Sequence, residues 1–149
     1  MHDIATLLSR QRTAHLTSEP WTAEYRCALL DKAIGLLVDH EQASVEALNA
    51  EFGHRSADFP RWFDIASPIA TWKKTRAQVA EWMKPEPRES SARMGEAWIH
   101  YQPLGVVGIV TAWNFPVNLV FSGLAGVLAA GNRAMIKVSE FNPHTAQLL

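Results

Sequence analysis

Residues 106–138 carry the pattern that most limits what this chain can fold into. Two short aliphatic runs, Val106–Val110 and residues 134–138, flank a glycine- and alanine-rich stretch, residues 118–130, that stops at Gly131. A short continuous aliphatic run is the mark of a strand covered on both faces. The small-residue stretch between them has the length of a crossover helix. A strand–helix–strand unit of that kind closes right-handed into a parallel sheet. Ligands of such sheets sit at the carboxyl ends of the strands. Those ends here are residues 111–114 and 139–141.

Upstream the period is helical. Ile4, Leu7, Leu8 and Ala14 place a first helix over residues 2–16, and Ser18, Glu19 and Pro20 end it. Thr22 is an N-cap candidate for a second helix. Its apolar stripe runs through Cys27, Leu30, Ile34, Leu37 and Val38, resumes at Val45, Leu48 and Phe52, and meets a C-cap at Gly53. Polar residues 39–41 predict a kink between the two parts. Ser56 or Asp58 starts a third helix with Pro60 in its first turn, running to about Met83. Trp62, Ile65, Ile69, Trp72, Val79 and Trp82 are predicted to face inward from it, and Pro68 to kink it. Residues 84–93, KPEPRESSAR, read as a linker, and residues 94–102 alternate weakly, as a hairpin or edge strand does. The fold class is α/β: N-terminal helices, a β-hairpin, then the start of a parallel doubly wound, Rossmann-like domain. The divisions are 1–84 helical, 85–104 linker and hairpin, and 105–149 the first part of a nucleotide-binding domain. The chain ends just after Pro143 opens another helix, which predicts a fragment of something longer.

Composition narrows the function classes. Of the 149 residues, 48% are hydrophobic and 19% charged, so a packed core is expected rather than disorder. The net charge of −1 gives no field toward nucleic acid or an anionic membrane. The N-terminus has no signal-peptide pattern, and no apolar run reaches the roughly 18 residues a membrane helix needs. A single cysteine, Cys27, excludes an intrachain disulfide and fits a cytoplasmic protein. It lies on an apolar helix stripe and reads as a structural thiol. The six histidines form no pair at helical spacing, so no metal site is expected.

Three polar residues stand at the predicted sheet edge. Asn114 follows a buried strand between Trp113 and Phe115. It is either a helix cap or a neutral amide donor facing a developing oxyanion in a dry site. Lys137 closes the second aliphatic run, either snorkelling at the sheet edge or donating to ligand hydroxyls or phosphates. Glu140 either favours the N-terminus of the next helix or accepts from a ribose diol.

Four ordered blocks then identify a resemblance. PLGVVG (residues 103–108), AWNFP (112–116), AAGN (129–132) and KVSE (137–140) are similar to the opening of the cofactor domain in the aldehyde dehydrogenase superfamily. FGHRS (52–56) and WMKP (82–85) resemble its coniferyl aldehyde dehydrogenase branch. The likeness covers nearly the whole chain but only the N-terminal part of the family's longer sequence. It implies NAD(P)-dependent oxidation of an aldehyde, with an aromatic, coniferyl-like substrate, through attack by a cysteine thiolate. Asn114 then matches the oxyanion asparagine. Val110, Thr111, Ala112 and Trp113 match the strand end that lines the cofactor, and Lys137, Ser139 and Glu140 match its adenosine-ribose binders. The resemblance also implies NAD, with NADP as the alternative, and a homodimer or homotetramer. The catalytic cysteine and the general base have no counterpart in these residues, so the chain alone is expected to be inactive. Two other readings stay open: a truncated non-catalytic oligomerisation module, and an acyl-phosphate or acyl-CoA reductase of the same fold. Ala112 and Val138 stand where the family has prolines, which frees one backbone dihedral at each loop.

Overall fold

The structure, a computed structural model, describes residues 3–53, 55–91 and 95–149. His2 and residues 92–94, assigned above to the first helix and to the linker and hairpin, and His54 of the FGHRS block lie outside the described residues.

Helix α1 (Ile4–Leu16) is capped by the Asp3 carboxylate, which accepts from the Thr6 amide at 3.2 Å, and it buries no residue. Helix α2 (Ala23–Asp39) starts at Thr22, whose hydroxyl accepts from Tyr25 N–H at 3.2 Å. Helix α3 (Glu41–Phe52) follows at once, because His40 both ends α2 and begins α3. The polar interruption is therefore a break of one residue. Gly53 ends α3 with φ 65°, a left-handed conformation that suits glycine, and its N–H bonds Asn49 O at 2.8 Å.

The third helical stretch departs from the sequence reading. It begins as α4 (Asp58–Pro60), with Ala57 rather than Ser56 or Asp58 as N-cap, passes through a π-helical turn (Arg61–Ala66), and continues as α5 (Ser67–Trp82). Proline in a helix lacks an N–H and crowds the carbonyl four residues back. The wider turn just before Pro68 absorbs both defects. It also shifts the helical phase, which is why Trp62 ends 70% exposed instead of facing inward. Trp82, the last residue of α5, is likewise exposed, at the rim of a hollow lined by Arg26, Met83 and Tyr101. Ile65, Trp72 and Val79 are buried as expected. Trp72 is the largest fully buried side chain among the described residues, and its indole N–H bonds Phe121 O at 2.9 Å.

Residues 86–88, within the predicted linker, form strand β1 (Glu86–Arg88). It pairs antiparallel with β2 (Ala97–Ile99), Pro87 opposite Trp98. Proline is tolerated there because the pair is an isolated two-stranded ribbon with free edges.

Strands β3 (Val106–Val110) and β4 (Arg133–Lys137) pair in parallel, Val106 with Arg133 and Val110 with Lys137. Helix α6 (Pro116–Ala129) connects them and starts two residues earlier than the sequence reading, because Pro116 suits a first helical turn. Gly131 (φ 81°) closes the crossover, and a Cβ there would lie 2.6 Å from Arg26 Nη2. Only glycine leaves room for Arg26 to reach Ala129 O, at 2.9 Å, at the end of α6. The expectation that β3 is covered on both faces is not met, since Val110 is 79% exposed. Helix α6 covers one face, and α1 reaches only part of the other, where Arg133 bonds Ala14 O at 3.2 Å. The core lies where α2, α5 and α6 meet, around Leu30, Trp72, Val79 and Val120. A last helix, α7 (Pro143–Leu148), packs on α3, and Thr145 N–H bonds Glu51 Oε1 at 2.9 Å. No helix among the described residues is long and apolar enough to cross a membrane.

Candidate functional site

Parallel pairing brings the carboxyl ends of β3 and β4 side by side. Thr111 N–H extends the ladder by bonding Lys137 O at 3.1 Å. Two loops therefore leave the sheet next to each other, residues 111–115 toward α6 and residues 138–142 toward α7.

The first loop is built from aromatic rings. Trp113 packs on Phe52 with centroids 6.2 Å apart, and Phe115 stacks on Phe59 at 6.0 Å. The side chain of Asn114 is exposed and makes no hydrogen bond among the described residues. It does not cap α6, whose N-cap is Phe115. That task falls to Asp64 of the π-helical turn. Its Oδ1 accepts from Asn118 N–H at 3.2 Å. Asp64 is fully buried, and burial pushes its carboxyl above the usual range; the amides of Asn118 and Val117 and the charge of Arg55 oppose that shift. Asn118 in turn donates to Phe63 O at 2.5 Å and accepts from Ser122 Oγ at 2.8 Å. The main chain of Asn114 is held separately: Arg55 Nη2 donates to Asn114 O at 2.9 Å.

The second loop is polar. Lys137 and Glu140 form an exposed ion pair, and the hydrogen bond from Lys137 holds the Glu140 carboxyl below its usual range. Ser139 is buried, its Oγ accepting from Phe141 N–H at 3.3 Å, so its own hydroxyl proton is still free to donate. Thr111 is buried with its Oγ1 unpartnered among the described residues. Val110 and Trp113 are open to solvent, and Ala112 is exposed between them. All the residues singled out at the two strand ends thus lie on one edge of the sheet. Cys27 lies elsewhere, packed against the core on α2, with Sγ 3.8 Å from Arg76 O. No metal-binding cluster of histidine, cysteine and carboxylate occurs among the described residues.

Sequence reasoning missed Arg55 and Asp64. The signal for Asp64 was a lone acid inside RWFDIASPI, between Phe63 and Ile65. For Arg55 the sequence offered its place in the FGHRS block, after a helix-ending glycine, and no sign of its partner.

The profile of the aldehyde dehydrogenase family matches residues 2–149. The coniferyl aldehyde dehydrogenase of Pseudomonas sp. (strain HR199 / DSM 7063) is 44% identical over 146 residues, which are 98% of this chain and 30% of that protein. A probable coniferyl aldehyde dehydrogenase of Caulobacter vibrioides is 45% identical over 154 residues, covering 100% of this chain and 31% of its own length. Among solved structures, the substrate-bound state of Staphylococcus aureus AldH superposes with a TM-score of 0.92 at 26% identity, over 99% of this chain and 32% of that one. The chain thus spans about 30% of the length of the curated relatives it matches. The match over residues 2–149 shows that this chain belongs to the aldehyde dehydrogenase family.

Proposed function

We propose that these residues supply the oxyanion donor and part of the dinucleotide site of an NAD(P)-dependent aldehyde dehydrogenase. The observation that carries the reading is the division of labour at Asn114. Its main chain is tied down by Arg55, while its side chain is left free at the carboxyl edge of the sheet. A cap would have its side chain engaged; a donor waiting for substrate would not. The amide NH₂ is neutral, so it faces the oxygen of an attacked aldehyde without titrating, and it stabilises the charge that develops there. Cys27, packed against the core of the helical layer, is not the attacking thiolate in this reading.

The residues at the edge fit a dinucleotide. Val110, Ala112 and Trp113 offer an open apolar strip beside Thr111. Among the described residues Lys137 and Glu140 are paired only with each other and at the surface, so both are available to ribose hydroxyls, with the Ser139 hydroxyl beneath. NAD or NADP bound there supplies the hydride acceptor. The Glu140 carboxylate repels a 2′-phosphate, which favours NAD, while Lys137 works in the opposite sense. Names of the two relatives at 44% and 45% identity support coniferyl aldehyde as the substrate class. The exposed edges of the β1–β2 ribbon support a homo-oligomer, since unpaired strand edges favour pairing.

A chimera provides the test. Residues 1–149 replace the matching part of the Pseudomonas coniferyl aldehyde dehydrogenase, and aldehyde-dependent NADH formation is followed. Asn114→Ala should lower kcat about 100- to 1,000-fold, the cost of one oxyanion donor. An unchanged kcat would refute the role given to Asn114. Residues 1–149 alone should form no NADH.

A further inference from the structure

We propose that Arg55 is a positioning residue for the oxyanion donor, holding the Asn114 main chain so that the free amide keeps one orientation. The inference rests on the reading of Asn114 given above and adds a residue of the FGHRS block that lies away from the edge of the sheet.

Between Thr111 N–H, which belongs to the β-ladder, and Phe115 O, which belongs to α6, the loop has few polar ties of its own. Among the hydrogen bonds of the described residues, the one from Arg55 to Asn114 O is the only one made to residues 112–114. The guanidinium is itself held by rings. Its carbon lies 3.5 Å from the Phe52 centroid, 5.2 Å from that of Phe59 and 5.5 Å from that of Phe115. Phe52 also packs on Trp113, so Arg55 touches the supports of both neighbours of Asn114 as well as its carbonyl. No carboxylate lies within ion-pair distance of Arg55 among the described residues, and its Nη1 is buried without a partner there. The side chain therefore does not serve a surface salt bridge. Its charge lies over aromatic faces and also acts on the buried Asp64, and its hydrogen bond goes to the residue whose side chain has to be placed. A planar guanidinium stacks and donates at the same time, which a lysine ammonium does not. Misplacing a reacting group by about 1 Å costs on the order of 100-fold in rate, so one such tie is enough to matter.

The chimera described above tests this through a double-mutant cycle. Arg55→Ala should lower kcat about 10- to 100-fold and leave KM for the dinucleotide unchanged. Arg55→Lys, which keeps the charge and a donor, should recover part of the loss. In the Asn114→Ala background, Arg55→Ala should change kcat by less than about twofold, because its effect runs through the missing amide. If Asn114→Ala lowers kcat while Arg55→Ala does not, or if the two losses multiply, Arg55 has no positioning role. If Asn114→Ala itself changes nothing, the reading of Asn114 fails first. NMR relaxation on residues 1–149 gives an answer that does not depend on the chimera folding. Arg55→Ala should lower the backbone order parameters of residues 112–115 to below about 0.6 while α2 and α5 stay near about 0.85. Unchanged order parameters, or loss of order throughout, would overturn the proposal.

Discussion

The two loops at the sheet edge start from paired strands, yet they are fixed by opposite means. Residues 111–115 are gripped by rings, by Arg55 and, through α6, by the buried Asp64. Residues 138–142 carry at Glu140 one half of an ion pair in open solvent, with Lys137 at the strand end as the other. A group that takes part in a chemical step has to be held within fractions of an ångström. A group that grips a mobile sugar gains from being free to adjust. The contrast teaches that in the loop proposed to carry the oxyanion donor the distant supports meet the loop residues themselves, whereas the second loop's distant tie lies just past it, in α7.

The largest effect should come from removing support under the first loop. Trp72→Ala takes away a fully buried indole and its bond to Phe121 O in α6. It should cost about 3–5 kcal/mol of folding stability, read from denaturant midpoints. If hydrogen exchange then rises equally in both loops, the separation drawn between them is broken.

Asp64 comes next. Asp64→Ala should destabilise by roughly 0.5–2 kcal/mol, the range for a lost helix cap. Its pH dependence has a definite sign. Burial raises the folded-state pKa of this acid above the ordinary 3.8, so the folded state binds the extra proton. This contribution to stability is fully present below pH 3.8 and is lost as pH rises through the raised value. Asp64→Asn should flatten that part of the stability–pH curve, and a curve unchanged by the substitution would show that Asp64 titrates normally.

The smallest effect belongs to the second loop. Lys137→Met should leave the denaturation midpoint unchanged and weaken the salt dependence of dinucleotide binding. A clear loss of stability would mean that the polar loop is as structural as the aromatic one.

How much of this was legible in sequence follows the range of each interaction. The strand–helix–strand unit was readable because Val106–Val110, the small-residue helix and residues 133–137 lie within one stretch. The caps at Thr22 and Gly53 were equally local. The π-helical turn was not, because it depends on how the backbone absorbs Pro68. Strand β1 was hidden by the prolines that made residues 84–93 look like a linker. Arg55 was hidden more completely, since its partner Asn114 is 59 positions away and is met through a main-chain carbonyl that any residue possesses. Val110 and Trp62 misled because alternation and period report what a face is suited to bury, not what is present to cover it.

The bond from Thr145 N–H to Glu51 joins α7 to α3 across 94 positions. At synthesis rates of about 5–20 residues per second, Glu51 is made roughly 5–19 s before its partner. For that interval Glu51 is without the Thr145 amide it later accepts from. The order of translation thus leaves the second loop's anchor until last, after the aromatic loop has already been made.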